Sequence, residues 1–247
     1  MTHNPIRKTK IVATIGPACD SPKILEAMIA AGMNVARLNL SHGTMAEHHA
    51  RLVQVRHAAE SLGTDVAIMI DTRGIEIRTG HLEARMVELV PGNSFDLHTD
   101  GRVGDASGVS VSYVKLPEEV RPRTPILLDD GAIELEVRSV EGETIHCEVI
   151  HGGILGESKS VTLPDTRLSL TAVSPENRDD VIRELGFAAE NDVDYIAASF
   201  VQTDEDIVRM REILAERNVE IPIIAKIENR TGMANLDAIV EAAYGVM

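Results

Sequence analysis

Lys226 and Glu228 stand two residues apart at the end of an apolar run, Ile-Pro-Ile-Ile-Ala (221–225). If that run is a strand, period-two alternation projects the ammonium and the carboxylate from one face and Ile227 from the other. Other apolar runs end in the same way. Arg37, Asn39 and Ser41 alternate at the end of 33–40, Asp71-Thr72-Arg73-Gly74 closes 66–70 with Glu76 and Arg78 following, and Ser199 lies at the end of 195–200. Gathered on one rim, these ends would hold three cations (Arg37, Arg78, Lys226) and three acids (Asp71, Glu76, Glu228). Such cations hold a phosphorylated anion, and hard oxygens hold the metal ions that accompany it. Asn39, Ser41, Asp71 and Thr72 offer oxygen ligands with a single charge, a set better suited to a monovalent cation than to Mg²⁺.

Each signal also has a plain structural reading. Lys226 and Glu228 could be a salt bridge capping a strand end, and Asp71 to Gly74 a turn closed by an Asx bond. His42 reads as a turn residue near the rim, and His48-His49 as part of a solvated helix face. No histidines pair at i, i+4 in the zinc manner, and neither a Walker A loop nor a G-x-G-x-x-G turn occurs.

The elements needed to position these groups are legible. Residues 8–15 read as a first strand. Ser21-Pro22 starts a helix to about Ala31, with Ser as N-cap and Pro at the first position. Residues 33–40 form a second strand, and Thr44 with Glu47 has the capping-box spacing that opens a helix ending near Leu62. Val66 to Ile70 is a third strand. This β-α-β-α-β order is that of a parallel sheet. From about Gly80 to Pro164 the texture changes to short β-type runs divided by Gly, Pro and Asp turns, with no helical period, which predicts an all-β insertion. The α/β pattern returns with a helix from Ser174-Pro175 to about Asn191, a strand at 195–200, a helix at 204–217, the strand at 221–227, a helix from about 231 to 243, and Gly245-Val246-Met247 as the start of one more strand. The expected domains are therefore 1–79 with 166–247, and 80–165.

Composition narrows the partners. At 247 residues with 44% hydrophobic and 26% charged, the chain is ordinary for a globular protein, with three Phe, three Tyr and no Trp. The net charge of −15 argues against nucleic acid and anionic membranes. Acid excess with few Lys is also what a high-salt habitat selects. No apolar run is long enough for a membrane span, the N-terminus lacks a signal-peptide profile, and Cys19 and Cys147 are isolated, so a cytoplasmic setting is expected.

The segments 8–18 (Lys-Thr-Lys-Ile-Val-Ala-Thr-Ile-Gly-Pro-Ala), 34–43 (Asn-Val-Ala-Arg-Leu-Asn-Leu-Ser-His-Gly), 71–80 (Asp-Thr-Arg-Gly-Ile-Glu-Ile-Arg-Thr-Gly), 128–131 (Leu-Asp-Asp-Gly), 198–201 (Ala-Ser-Phe-Val) and 224–229 (Ile-Ala-Lys-Ile-Glu-Asn) closely resemble pyruvate kinase, in the order and spacing of that family. The resemblance implies a (β/α)8-type barrel, here incomplete at about five to six strands, with an inserted all-β barrel acting as a lid. It implies transfer of phosphate from phosphoenolpyruvate to ADP, the glycolytic step that yields pyruvate and ATP, with Mg²⁺ or Mn²⁺ and K⁺. By position, Lys226 would stabilise the phosphoryl group and the enolate, Arg37 would contact the phosphoryl group, and Arg78 would lie beside it. Glu228 would bind Mg²⁺, Asn39, Ser41, Asp71 and Thr72 would bind K⁺, and Glu76 would mark potassium dependence.

The chain also departs from the family pattern. Ile75 and Thr171 replace usual prolines, and Ser160 and Thr162 stand where the family has Gly and Asn. After Gly245-Val246-Met247 the family continues into a segment with the second Mg²⁺ carboxylate and the amides for the substrate carboxylate. The expectation is accordingly little or no turnover by the chain as it stands. Two other classes are carried beside it. One is a non-catalytic or repurposed half-barrel whose copies pair their open sheet edges as a homo-oligomer, and the other is a Mg²⁺-dependent, pyruvate-releasing lyase of the related barrel group.

Overall fold

The computed structural model describes residues 8–74, 77–164, 166 and 168–247. Along the first stretch run β1 (Val12–Thr14), α1 (Pro22–Ala30), β2 (Val35–Asn39), α2 (Met45–Ser61) and β3 (Ala67–Asp71). Then come β4 (Ile77–Arg78), β5 (Met86–Leu89), β6 (Ser94–His98), β7 (Gly108–Ser110), α3 (Leu116–Glu119), β8 (Pro125–Leu128), β9 (Ile133–Glu141), β10 (Thr144–His151), β11 (Gly153–Gly156) and β12 (Ser160–Thr162). The last stretch holds α4 (Arg178–Glu190), β13 (Tyr195–Ala198), α5 (Asp204–Ala215), β14 (Ile223–Ala225), α6 (Arg230–Ala234), α7 (Leu236–Ala242) and β15 (Gly245–Val246). Contacts divide the chain into two compact units, residues up to 75 with those from 170 onward, and residues 76–169. The sequence reading placed these boundaries at 79/80 and 165/166. The first lies earlier because Ile77–Arg78 pairs as a strand inside the β unit.

The α/β unit is a parallel sheet of six strands in the order β1-β2-β3-β13-β14-β15. That order follows the chain without reversal. A doubly wound sheet reverses at a switch point, whereas uninterrupted sequential order with a helix after each strand is the winding of a (β/α) barrel. The fold is therefore an incomplete α/β barrel with an all-β insertion after its third strand. Alternate residues of each strand (Ala36, Leu38, Ile68, Ile70, Ile196, Ala198, Ile223, Ala225) are buried in one apolar cluster with Leu25, Leu52, Val55, Leu185, Ile207 and Met210 of the helices. Residues of opposite parity, among them Arg37, Asn39 and Asp71, face away from that cluster.

Local chemistry explains most boundaries. Thr44 and Glu47 form the reciprocal capping box at the start of α2. Ser21 precedes α1 with Pro at its first turn, but its hydroxyl makes no cap bond, and its carbonyl accepts from Ile24 and Leu25 instead. The fourth helix does not begin at Ser174-Pro175. Asn177 Oδ1 accepts from the Ser174 amide at 2.7 Å, tying 174–177 into a turn, and the helix starts at Arg178. The last helix is two, because Asn235 ends α6 and enters α7 outside helical geometry. His48 is not on a solvated face. It shares a stripe of α2 with Leu52, Val55 and Ala59, is 2% exposed, and donates from Nε2 to the His42 carbonyl at 2.8 Å.

In the β unit, seven strands follow the order β4-β12-β8-β9-β10-β6-β7, and β5 pairs with β11. A bridge between Thr79 and Val111, with Gly80 N–H donating to Ser110 O and Ser112 N–H to Arg78 O, joins the two edges and closes the barrel. Phe95, Leu97, Val109, Ile126, Leu128, Leu135, Val137 and Ile145 fill it. The one-turn helix α3 was not foreseen, since four residues carry no readable period.

Candidate active site at the strand tips

In-register parallel pairing sets Asn39 beside Asp71 and runs β13 and β14 alongside, so the carboxyl ends of four strands meet. Asp71 is the hub. Its side chain is 1% exposed, and its Oδ2 accepts from Arg37 Nε at 2.7 Å and pairs with Nη2. Its Oδ1 accepts from Lys226 Nζ at 3.1 Å and lies 3.1 Å from Ser199 Oγ, whose single proton is shared with the closer Thr72 carbonyl. A buried carboxylate is costly unless its lone pairs are filled, and here both oxygens are engaged by two cations and a hydroxyl. Asp71 therefore spends its acceptors across strands, and no Asx bond closes this turn among the described residues.

Lys226 lies just past β14, with Nζ 2.9 Å from Ser199 Oγ and 3.2 Å from Glu228 Oε1. Ile227 between them packs against the apolar cluster, so the alternation persists beyond the regular strand. Glu228 Oε2 accepts the Phe200 amide at 2.9 Å. Phe200 is held at φ 56°, a conformation uncommon for an aromatic residue, and it packs over Gly74. Gly74 itself sits at φ +65°, and a Cβ there would come within 2.6 Å of Phe200 and Ser199. Arg37 Nη1 also donates to Thr14 Oγ1 at 2.7 Å, which brings in the tip of β1.

The residues proposed for a monovalent ion lie at the adjacent ends of β2 and β3. Asn39 Oδ1 accepts the Ser41 amide at 3.1 Å, Leu40 N–H donates to Asp71 O at 2.9 Å, and Thr72 O accepts Ser199 Oγ at 2.7 Å. Ser41 Oγ has no hydrogen-bond partner among the described residues. One carboxylate with neutral amide, hydroxyl and carbonyl oxygens fits a monovalent cation. For a divalent ion the tips offer Glu228, half-exposed, and no group of three His, Cys, Asp or Glu is placed to hold a metal among the described residues. A single carboxylate completed by substrate oxygens and water suits Mg²⁺.

Arg78 belongs to the β unit, where its N–H donates to Ser112 Oγ at 3.0 Å and its Nη1 to Ser158 O at 2.7 Å. Glu76 lies outside the described residues. Residues that the sequence did not single out complete the cluster. Thr14 supports Arg37, Arg73 donates from its guanidinium to Leu40 O, and Glu184 of α4 accepts the Arg73 amide at 3.2 Å. Burial pushes the Glu184 carboxyl up to about 7, partly offset by the Arg73 amide and charge. A signal for Glu184 was present, since Val181, Glu184, Leu185 and Ala188 fall at i, i+3, i+4 and i+7 and place an acid within an apolar stripe.

Strand order, insertion point and a mixed-charge cluster at the carboxyl ends of the strands define the class: a barrel-type α/β protein carrying its polar site on the strand-tip rim. Within that class the chain belongs to the pyruvate kinase family, whose family model, "Pyruvate kinase, barrel domain", matches residues 6–247. It is 43% identical over 246 residues to a protein named pyruvate kinase from Staphylococcus saprophyticus, covering 98% of this chain and 41% of the relative. The corresponding protein of Geobacillus stearothermophilus is 43% identical over 244 residues with the same coverage. That of Clostridium acetobutylicum is 39% identical and covered over 51% of its length. The chain thus spans about two-fifths to half the length of these curated relatives.

Proposed function

We propose that the strand-tip cluster is the phosphoryl-transfer site of a pyruvate kinase, which moves phosphate from phosphoenolpyruvate to ADP in glycolysis. In that reaction the bond from phosphorus to the enol oxygen breaks and a bond to the terminal ADP oxygen forms. The enolate left behind takes a proton at carbon to give pyruvate. The observation that carries the reading is the joining of Arg37, Asp71, Ser199 and Lys226 across four strand tips. Lys226 Nζ and the Arg37 guanidinium are positioned by Asp71 before any ligand arrives, which is the preorganisation that charge in flight requires. Asp71 stands where an anion would compete for them.

Glu228 is the proposed ligand of Mg²⁺ or Mn²⁺, and Asn39, Ser41, Asp71 and Thr72 the proposed ligands of K⁺. When bound, such cations would neutralise charge on the phosphoryl oxygens. Arg78 and Glu76 remain in the proposed set, as neighbours of the phosphoryl group and determinant of cation preference. The free thiols Cys19 and Cys147 support a cytoplasmic setting, and no helix among the described residues is long and apolar enough to cross a membrane.

The 247 residues span about two-fifths of the length of the relatives they match, so turnover by these residues alone should be slow. A lactate dehydrogenase-coupled assay with phosphoenolpyruvate and ADP tests this. Rates in the ordinary kinase range of about 1–100 s⁻¹ that vanish in Lys226→Ala would contradict slow turnover, whereas pyruvate released from a longer keto acid without ADP would favour a lyase. A second, oligomeric reading rests on the sheet edges, where Ile11 and Val12 at the start of β1 and Tyr244, Val246 and Met247 at β15 are exposed. Edges of this kind invite pairing with a second copy. A monomer by light scattering at micromolar concentration would sink that reading.

A further inference from the structure

We propose that Glu184 and Arg73 are a positioning pair behind the strand tips, orienting the Asn39 and Thr72 oxygens of the set Asn39, Ser41, Asp71 and Thr72 for a monovalent cation. The proposal rests on the reading of those four residues as a cation site. Its basis is the geometry of two peptide planes. Glu184 Oε2 accepts the Arg73 amide at 3.2 Å, and the carbonyl of that same peptide, Thr72 O, accepts Ser199 Oγ at 2.7 Å. In a trans peptide N–H and C=O point in opposite directions, so a carboxylate fixed on one side aims the Thr72 carbonyl to the other.

The second plane is held by the side chain of the same arginine. Arg73 Nη2 and Nε donate to Leu40 O at 3.3 and 3.4 Å, and the amide of that peptide, Ser41 N–H, donates to Asn39 Oδ1 at 3.1 Å. Arg73 therefore orients the β2 tip through its guanidinium, while Glu184 orients the β3 tip through the Arg73 backbone. Both tips already touch, since Leu40 N–H donates to Asp71 O.

The location of Glu184 argues for a purpose beyond packing. It is 2% exposed on the core-facing stripe of α4, where an apolar residue would avoid the cost of a buried acid. It lines a small cleft with Thr72, Arg73, Gly74, Asn177 and Asp180. Groups that hold ligands rather than touch the ion are worth about 10–100-fold in metal affinity in comparable sites.

Thallium(I), a K⁺ mimic with an observable nucleus, is the probe. Titrated into the 247-residue chain and followed by ²⁰⁵Tl NMR, it should bind Glu184→Ala and Arg73→Met about tenfold more weakly than wild type, with a shifted bound resonance. Glu184→Gln keeps an oxygen to accept the Arg73 amide and should stay within about twofold of wild type, because the hydrogen bond rather than the charge does the orienting. Arg73→Met leaves the buried stripe of α4 intact and carries the test if Glu184→Ala does not fold. Wild-type binding with unchanged affinity and resonance in Glu184→Ala or Arg73→Met, or Glu184→Gln as weak as Glu184→Ala, overturns the positioning pair alone. No binding by wild type overturns the cation reading and the pair with it.

Discussion

Asp71 shows how one residue can serve both fold and chemistry. Its carboxylate holds Arg37 and Lys226 from two strands that are not neighbours, so its removal should be felt far beyond its own turn. Asp71→Asn leaves two cations at a neutral amide, and breaking a buried ionic cluster in this way costs about 3–5 kcal/mol. Urea denaturation should show that loss, and a change below about 1 kcal/mol would mean solvent already screens the cluster. Glu184 gives a second prediction. Its carboxyl is raised by burial to about 7 from an ordinary 4.5. Between those values the folded chain binds more protons than the unfolded one, so stability from this group is full at low pH and falls as pH rises towards 7, then levels off. The whole effect is about 3 kcal/mol at most. Glu184→Gln cannot titrate, so its stability relative to wild type should rise by up to about that amount from pH 5 to pH 8. Parallel stability curves for the two proteins would contradict the assignment. At this scale the shared faces of Lys226 with Glu228 and of Arg37 with Asn39 were legible because period-two alternation is a strong local rule, whereas Asp71 was read only from its place at the end of an apolar run. Thr14 and Arg73 were not, since their partners, Arg37 and Leu40, come from other strands and no local spacing relates them.

Elements were readable wherever a short-range interaction sets the boundary. The capping box of α2 is the clearest case, with Thr44 Oγ1 accepting the Glu47 amide and Glu47 Oε2 accepting the Thr44 amide at 2.7 Å. Thr44→Ala should cost about 1 kcal/mol, visible as a fall in melting temperature of about 2–4 °C in a chain of this length. No shift would show that α2 is held by packing alone. Where boundaries depend on tertiary partners the sequence misleads. Ser174-Pro175 has the composition of a helix start, yet Asn177 captures the Ser174 amide and hydroxyl, and the helix waits until Arg178. His48 was misread because adjacent histidines suggest solvent, while the stripe it shares with Leu52 and Val55 says otherwise. Short strands of the β unit, such as Ile77–Arg78 and Ser160–Thr162, are defined by their pairing with each other and with β8 and could not announce themselves locally.

For the whole molecule, the sequential order of six parallel strands turns scattered motifs into one rim, and the closed β barrel accounts for the change of texture after β3. The alternation of fold type was legible because helix and strand periods differ. The closure of the β barrel through Thr79 and Val111 was not, because nothing local links residues so far apart. A phosphoryl-transfer rim must recognise a phosphorylated anion. Isothermal titration of phosphoenolpyruvate into the 247-residue chain, with Mg²⁺ and K⁺ present, tests this most directly. Binding should be saturable and should weaken at least about tenfold in Lys226→Ala, as expected for a charge-assisted contact of about 1.5–3 kcal/mol. Absence of binding by the wild-type chain, or equal binding by Lys226→Ala, would contradict that recognition.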